Sequence, residues 1–300
     1  MSVLVVGSVA LDSIATPFGV RENILGGAAC FFSVAASFYA PIRLVGVVGD
    51  DFPDEHVKML RERGIDLLGL ERRAGAKTFK WTGSYEGRMD VAKTIKTELN
   101  VLGAFRPEIP AAWRKSPFVF LANGDPVTQA HVLDQLDGPC FTMVDTMNLW
   151  IEHARPKLLE VWNRVDGVIL NDEEARAMGG SQNLVRAMNA IAARGVRLVV
   201  VKKGEHGSVM LKDGEFFALP AYPLEEVRDP TGAGDTFAAG FMGRLAETGD
   251  VSWSGLKNAL AYATVTASFT VEKFSLDRLL EIDRAALDRR RDAFLSFTRY

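Results

Sequence analysis

The densest chemistry in the chain lies in the fifteen positions from Arg228 to Met242, RDPTGAGDTFAAGFM. Gly232, Ala233 and Gly234 stand directly before Asp235, and Phe237, Phe241 and Leu245 recur behind it at helical spacing. A helix that starts at glycines can turn sharply and expose its first N–H groups. Those unpaired donors and the positive end of the helix dipole make a seat for an anion. A carboxylate in the first turn then stands beside the anion. It can take the proton from a hydroxyl as a phosphoryl group arrives. The same residues also describe a capped helix start with no chemistry, and types and spacing alone leave both readings open.

Such a turn needs a rigid frame to hold it. Ser2–Val9 and Ile42–Val48 are short apolar runs that predict buried parallel strands, as do Phe118–Leu121, Cys140–Val144, Val168–Leu170 and Leu198–Val201. Polar residues follow each: Asp12, Gly49-Asp50-Asp51, Asn123-Gly124-Asp125, Asp145–Asn148, Asn171–Glu174 and Lys202–Gly207. Strands alternating with helices and ending this way predict an α/β protein whose ligands lie along one edge of a parallel sheet. Gly26-Gly27 opens an apolar helix through Tyr39, Asp54–Arg63 is amphipathic and stops at Gly64, and Leu256–Val271 is a helix rich in small residues. Thr78, Phe79, Lys80, Trp81 and Thr82 alternate, so Lys77–Thr97 predicts a hairpin. With the extended stretch 12–21, which holds Pro17 and Gly19, it predicts a small second sheet.

Some of these strand ends carry two readings. Asp12 could hold hydroxyls by accepting two hydrogen bonds, or could be a turn residue. Asn171 and Glu174 offer oxygens that suit a hard cation keeping most of its waters. The same spacing is that of a capping box.

Asp229-Pro-Thr-Gly-Ala-Gly-Asp235-Thr-Phe, followed by small residues through Gly240, closely resembles the C-terminal signature of the ribokinase-like (PfkB) carbohydrate kinases. The resemblance extends over nearly the whole chain. It implies a single kinase domain over 1–300 with a three-layer α/β/α ribokinase-like fold, a mostly parallel central sheet, and a small β-sheet lid from about 12–21 and 77–100. It further implies an ATP-dependent kinase that uses Mg2+. Asp235 would deprotonate the acceptor hydroxyl, while the amides of Gly232, Ala233 and Gly234 steady the transferred phosphoryl group. Asp12, Gly26 and Gly27 would hold the acceptor, with Asn123 placed beside them at its strand end.

On the nucleotide side, Asn171 and Glu174 would organise magnesium and phosphate through water. Gly204 and Gly207 would form a turn against the nucleotide, and Asn258 is the polar candidate under the adenine. Lys202 stands where many members have threonine and could reach a phosphate. Asp229 and Thr231 match a monovalent-cation site, potassium in the family pattern, that is completed by a glycine-containing loop. No glycine follows Val271 within that loop here. A second departure is Ala28-Ala29-Cys30-Phe31, which replaces the usual small polar residue and asparagine and leaves the acceptor open. The reading is a kinase for a sugar hydroxymethyl group. Its alternative is a nucleoside kinase in which Phe79, Trp81 and Tyr85 stack a base, and a non-catalytic sugar or nucleotide sensor ranks below both. The lid also implies a homodimer.

Bulk composition excludes other classes. A net charge of −3, with Arg289–Arg291 offset by nearby acids, gives no basic patch for nucleic acid. Val5-Val6-Gly7 opens no Gly-x-Gly-x-x-Gly, so a nicotinamide dehydrogenase is disfavoured. No apolar run approaches the ~20 residues of a membrane span, and the amino-terminal stretch lacks a basic n-region. Cys30 and Cys140, each among apolar or small residues, predict buried free thiols in a reducing compartment, and His56, His131, His153 and His206 lack metal-ligand spacing. A cytoplasmic protein acting on a small molecule is expected.

Overall fold

The computed structural model describes residues 1–298 except Arg88 and Asp90. Its strands in chain order are β1 (Val3–Val6), β2 (Ala10–Thr16), β3 (Gly19–Gly26), β4 (Ile42–Gly49), β5 (Ile65–Arg73), β6 (Phe79–Ser84), β7 (Lys93–Glu98), β8 (Phe118–Leu121), β9 (Phe141–Asp145), β10 (Gly167–Asn171), β11 (Leu198–Lys202), β12 (Ser208–Lys212) and β13 (Glu215–Leu219). The helices are α1 (Ala28–Ala36), α2 (Asp54–Glu62), α3 (Pro126–Leu133), α4 (Asn148–His153), α5 (Arg155–Trp162), α6 (Asp172–Gly179), α7 (Leu184–Ala192), α8 (Ala233–Thr248), α9 (Trp253–Thr270), α10 (Asp277–Glu281) and α11 (Arg284–Thr298).

Successive side chains of a strand point to opposite faces, and that alternation builds the layers. Val3, Val5, Phe118, Phe120, Leu198 and Val200 join one hydrophobic cluster with α1, α2, α8, α9, α10 and α11. Leu4, Val6, Val119, Leu121, Val199 and Val201 join another with α3 to α7. The sheet between them has the order β13-β12-β11-β10-β9-β8-β1-β4-β5. All neighbours are parallel except the β11–β12 and β12–β13 pairs at one edge. With both faces covered, the parallel strands read as continuous apolar runs.

A second sheet, β3-β2-β6-β7, consists of two antiparallel hairpins joined through the parallel pair β2–β6. It rests on the main body through Ile14, Tyr85, Met89 and Phe274, with Ile24, Trp81 and Val227 packed around them. On the other side of the turn, α8 and α9 approach closely because Gly240 has no side chain. A Cβ there would come within 2.6 Å of Thr266 Oγ1 and 2.9 Å of the Ala263 Cα.

Three expectations change. The run Ser2–Val9 is strand only over β1, which ends at Val6, and β2 begins beyond it at Ala10; the segment read as extended over 12–21 is part of a hairpin covering 10–26. Strands β5, β12 and β13 carried no clear period in the sequence. The edge strands β5 and β13 need no continuous apolar run, and about half of each is exposed, while β12, one place in from the edge, is a short strand of five residues. Cys140 is exposed rather than buried, because it follows the left-handed turn at Gly138 and precedes the first inward residue of β9. No helix among the described residues is long and apolar enough to cross a membrane.

Phe120 lies fully buried in β8 and stacks on Phe32 of α1, with ring centroids 4.4 Å apart. Phe120→Ala should therefore destabilise the fold by about 3–5 kcal/mol, read as a lower urea midpoint at unchanged slope. A loss under ~1 kcal/mol would mean that this layer is not held by that pair.

Candidate active site

The turn before α8 is fixed from behind by an acid with no exposed surface. Asp229 Oδ1 accepts the Thr231 amide at 2.9 Å and Oδ2 accepts the Ser275 amide at 2.8 Å. Gly232 caps α8 with φ of 76°, and a Cβ on it would overlap the Phe31 ring, so backbone and space both require glycine. Thr236 then donates to the Gly232 carbonyl at 3.0 Å and receives Thr270 Oγ1 at 2.9 Å, which pins the helix start to α9. The Ala233 amide is spent inside the turn on the Pro230 carbonyl at 3.1 Å. Among the described residues, the amides of Gly232, Gly234 and Asp235 have no such partner, the last two being free donors of the first helical turn. An anion seated there meets both amides and the helix dipole.

A buried charge cluster faces this turn. Lys202 leaves the carboxyl end of β11 and places Nζ 3.2 Å from Asp145 Oδ2, at the end of β9. The same ammonium would lie 2.9 Å from a Cβ on Gly234, so that glycine is also a matter of room for a charge. Burial disfavours the ammonium, but Asp145, Glu174 and Asp235 together outweigh it and hold Lys202 above its ordinary range. The carboxylates feel the opposite imbalance. Asp235 is pushed up to about 7 by loss of hydration and then by Asp145, with Lys202 opposing. Glu174 rises to about 7 for the same first reason and for its nearness to Asp145. Burial likewise raises Asp145, against the pull of Lys202.

Asn171 and Glu174 form both halves of a capping box, each bond 2.8 Å, so the helix-cap reading of this pair is realised. Its place beside Asp145 and Lys202 adds a charge to the cluster. No three His, Cys, Asp or Glu side chains converge as a protein-only metal cage among the described residues. A hard cation that keeps its waters does not need one. Three acids against a single ammonium leave a surplus of negative charge that suits it.

Across the cleft, Asp12 of β2 is 4% exposed, and a Cβ on Gly26 would overlap its carboxylate. Burial drives its pKa up to about 7, the amides of Gly27 and Trp81 oppose this, and Asp235 and Asp229 add to it. Oδ1 has no hydrogen-bond partner. An orphaned buried carboxylate oxygen is costly, and a ligand hydroxyl is the group that would satisfy it. Trp81, paired in register with Asp12, stands beside Ile14, Tyr85 and Phe274.

The remaining expected residues are placed less centrally. Asn123 accepts from Trp150 Nε1 at 3.1 Å and donates to Met147 Sδ at 3.2 Å, so its amide is turned to the start of α4. Gly204 and Gly207, with φ of 53° and 83°, form a tight turn closed by Lys203 N to Gly207 O at 2.8 Å and packed against the end of β13. Asn258 lies exposed on α9 and accepts from Arg244 at 2.9 Å; its partner belongs to α8 and not to the charge cluster. Asp145 was not among the residues selected from the sequence. The available signal was an acid at the carboxyl end of a strand, and its lysine partner stands 57 residues further on.

A layered, mostly parallel sheet with a turn of this kind at its carboxyl edge and a small second sheet beside it defines a ribokinase-like kinase fold. The chain belongs to the pfkB family of carbohydrate kinases, whose sequence pattern matches residues 122–282. It is similar to a cytidine kinase of Thermococcus kodakarensis, 32% identical over 248 residues that cover 81% of this chain and 87% of that protein. In fold it resembles the nucleoside kinase of Methanocaldococcus jannaschii, with a TM-score of 0.79 at 22% identity over 97% of this chain and 98% of the other. A fructokinase of Vibrio cholerae, in a form with fructose, ADP and potassium bound, gives a TM-score of 0.80 at 20% identity over 98% of each chain.

Asp12 and Asp235 hold protons in the folded protein up to about pH 7, whereas an ordinary aspartate releases them near 3.8. Their contribution to stability is therefore complete below about pH 4 and is lost as pH rises through 7. Asp235→Asn and Asp12→Asn should each raise the melting temperature by a few degrees at pH 8 and by little at pH 4. Equal shifts at the two pH values would show that neither acid is desolvated in this way.

Proposed function

We propose that this protein transfers the γ-phosphoryl group of ATP to the hydroxymethyl hydroxyl of a nucleoside. The observation that carries the choice of acceptor is the unpaired Oδ1 of Asp12, whose register partner on β6 is Trp81, a ring packed against the Ile14 and Tyr85 cluster. A ribose diol would supply hydroxyls to the carboxylate, while a base would meet the half-buried ring of Trp81. The cytidine kinase relative supports the same acceptor class. A free sugar, the acceptor put first from the sequence, is the second reading, because Asp12 would accept its hydroxyls equally well and the family is one of carbohydrate kinases.

In this reading Asp235 is the base. The acceptor hydroxyl gives its proton to the Asp235 carboxylate as its oxygen attacks the γ-phosphorus in line. The bond from that phosphorus to the bridging oxygen breaks, and ADP leaves with the electron pair. The amides of Gly234 and Asp235 and the Lys202 ammonium would face the charge on the transferred group, already oriented before it develops. Gly232 supplies the left-handed turn, and Ala233 closes it. Magnesium accompanying the nucleotide would be held through water by Glu174 and Asp145, with Asn171 fixing Glu174, and would neutralise phosphate charge. The turn at Gly204–Gly207 borders the nucleotide, and Asn258 sits on the neighbouring helix as an outer contact.

The second sheet acts as a lid over the acceptor, carried by the same single domain. Its outward Val20, Ile95 and Phe18 support a homodimer through that face. Two free cysteines support a reducing, cytoplasmic setting.

A panel of nucleosides and sugars with ATP and magnesium tests the acceptor; turnover confined to sugars would reject the nucleoside reading. Asp235→Asn should lower kcat by ~10²–10⁴-fold while ADP affinity persists. Because only the ionised acid accepts a proton, the wild-type rate should fall as pH drops below about 7. A rate flat from pH 5 to 8 would remove Asp235 from that role.

A further inference from the structure

Asp229 sits where two loops meet, and every oxygen it presents is occupied by an amide. The Thr231 amide reaches Oδ1 at 2.9 Å and the Ser275 amide reaches Oδ2 at 2.8 Å. In the neighbouring loop the Val271 carbonyl accepts the amides of Arg228 at 2.8 Å and Asp229 at 3.4 Å. Ser275 then donates its own hydroxyl to the carbonyl of Leu25 at 2.5 Å, the penultimate residue of β3, directly before Gly26 and Gly27. Its φ is 51°, a left-handed conformation unusual for a residue with a side chain. A strained residue held by two strong bonds, at the junction of two functional loops, points to a purpose for the strain.

A monovalent cation beside Asp229 needs carboxylate and carbonyl oxygens turned towards it. Here each oxygen of the carboxylate already accepts a backbone N–H, so the charge a cation would answer is met by amides instead. The residues do not fit the ion, although the family resemblance implies one and the fructokinase neighbour is a potassium-bound form.

We infer that the Asp229–Ser275–Leu25 strap takes the place of a monovalent cation, so that this chain works without one. Asp229 holds the anion turn through the Thr231 amide and joins it to the neighbouring loop through the Ser275 amide. Ser275 carries that constraint across to the double glycine under the acceptor carboxylate Asp12. Thr231 adds a second link, donating to the hydroxyl of Tyr85 at 3.3 Å next to β6 of the second sheet. Ser275 is a positioning residue in this scheme, since it acts through Asp229 and Gly26 and touches no reacting atom.

The inference rests on the kinase reading for its activity arm and not for its binding arm. Turnover with magnesium, ATP and the best acceptor of the panel should be the same in potassium, sodium and tetramethylammonium chloride at equal ionic strength. The melting temperature and the ADP affinity should also be the same in the three salts, because an ion that binds only the folded state raises stability by mass action. Ser275→Gly relieves the strained φ and keeps the amide to Asp229 but deletes the tie to Leu25. It should raise KM for the acceptor several-fold while KM for ATP stays unchanged, a split that general loosening of the fold would not produce. Several-fold stimulation by potassium, or a potassium-specific rise in melting temperature or ADP affinity, overturns the strap. Absence of turnover in every salt counts against the kinase reading, and the melting and ADP measurements then still decide the strap.

Discussion

One ammonium group, that of Lys202, stands against three buried or half-buried acids at the open edge of the sheet, and much of the local architecture follows from keeping it there. A cation next to the start of a helix opposes the dipole. Its position is tolerable only because Asp145 lies 3.2 Å away and Glu174 and Asp235 face it. The acids in turn need the lysine, since without it their mutual repulsion and lost hydration would go uncompensated. The result is a cluster poised between charge states, with Asp235 pushed up to about 7. Stability is sacrificed at this spot and recovered in the layers beneath.

Those layers explain how such a cluster can be held still. Strands β9, β10 and β11 are hydrogen-bonded in register, and their ends deliver Asp145, Asn171 and Lys202 to one edge. The anion turn arrives from the other side, clamped to α9 through Thr236 and Thr270 and floored by Phe31 of α1. Gly232 and Gly234 are fixed by different neighbours, an aromatic ring for one and the lysine head for the other. The same pair of glycines thus answers to packing on one flank and to electrostatics on the other.

The parts legible in the sequence were those whose signal is local. Asp229 to Phe237 announced the turn, and the apolar runs from Phe118 to Val201 announced the central strands, because period and punctuation lie within a few residues. The Asp145–Lys202 pair was not legible, since nothing short-range connects residues so far apart and only the parallel register brings them together. Asn258 looked like a site residue because it is polar in a helix of small residues. Helical phase places it on an exposed face, where it accepts from Arg244 of α8. Cys140 looked buried for the opposite reason: its neighbours are apolar, but a turn at Gly138 leaves it on the surface. Capping and ligand chemistry at Asn171 and Glu174 could not be separated by spacing, and the structure shows why, for one geometry serves the cap and still places Glu174 beside the acids.

The hairpin of β2 and β3 interrupts the passage from β1 to α1, and β6 and β7 interrupt the passage from β5 to β8. Both excursions therefore leave from one half of the main sheet, whereas Asp145, Glu174 and Lys202 come from the other. Inheritance can then act on the two halves at different tempos. The excursions can vary along their exposed strands without moving the strand ends opposite, while the charged cluster stays tied to the parallel register. A lineage built this way can change its diet without relearning its chemistry.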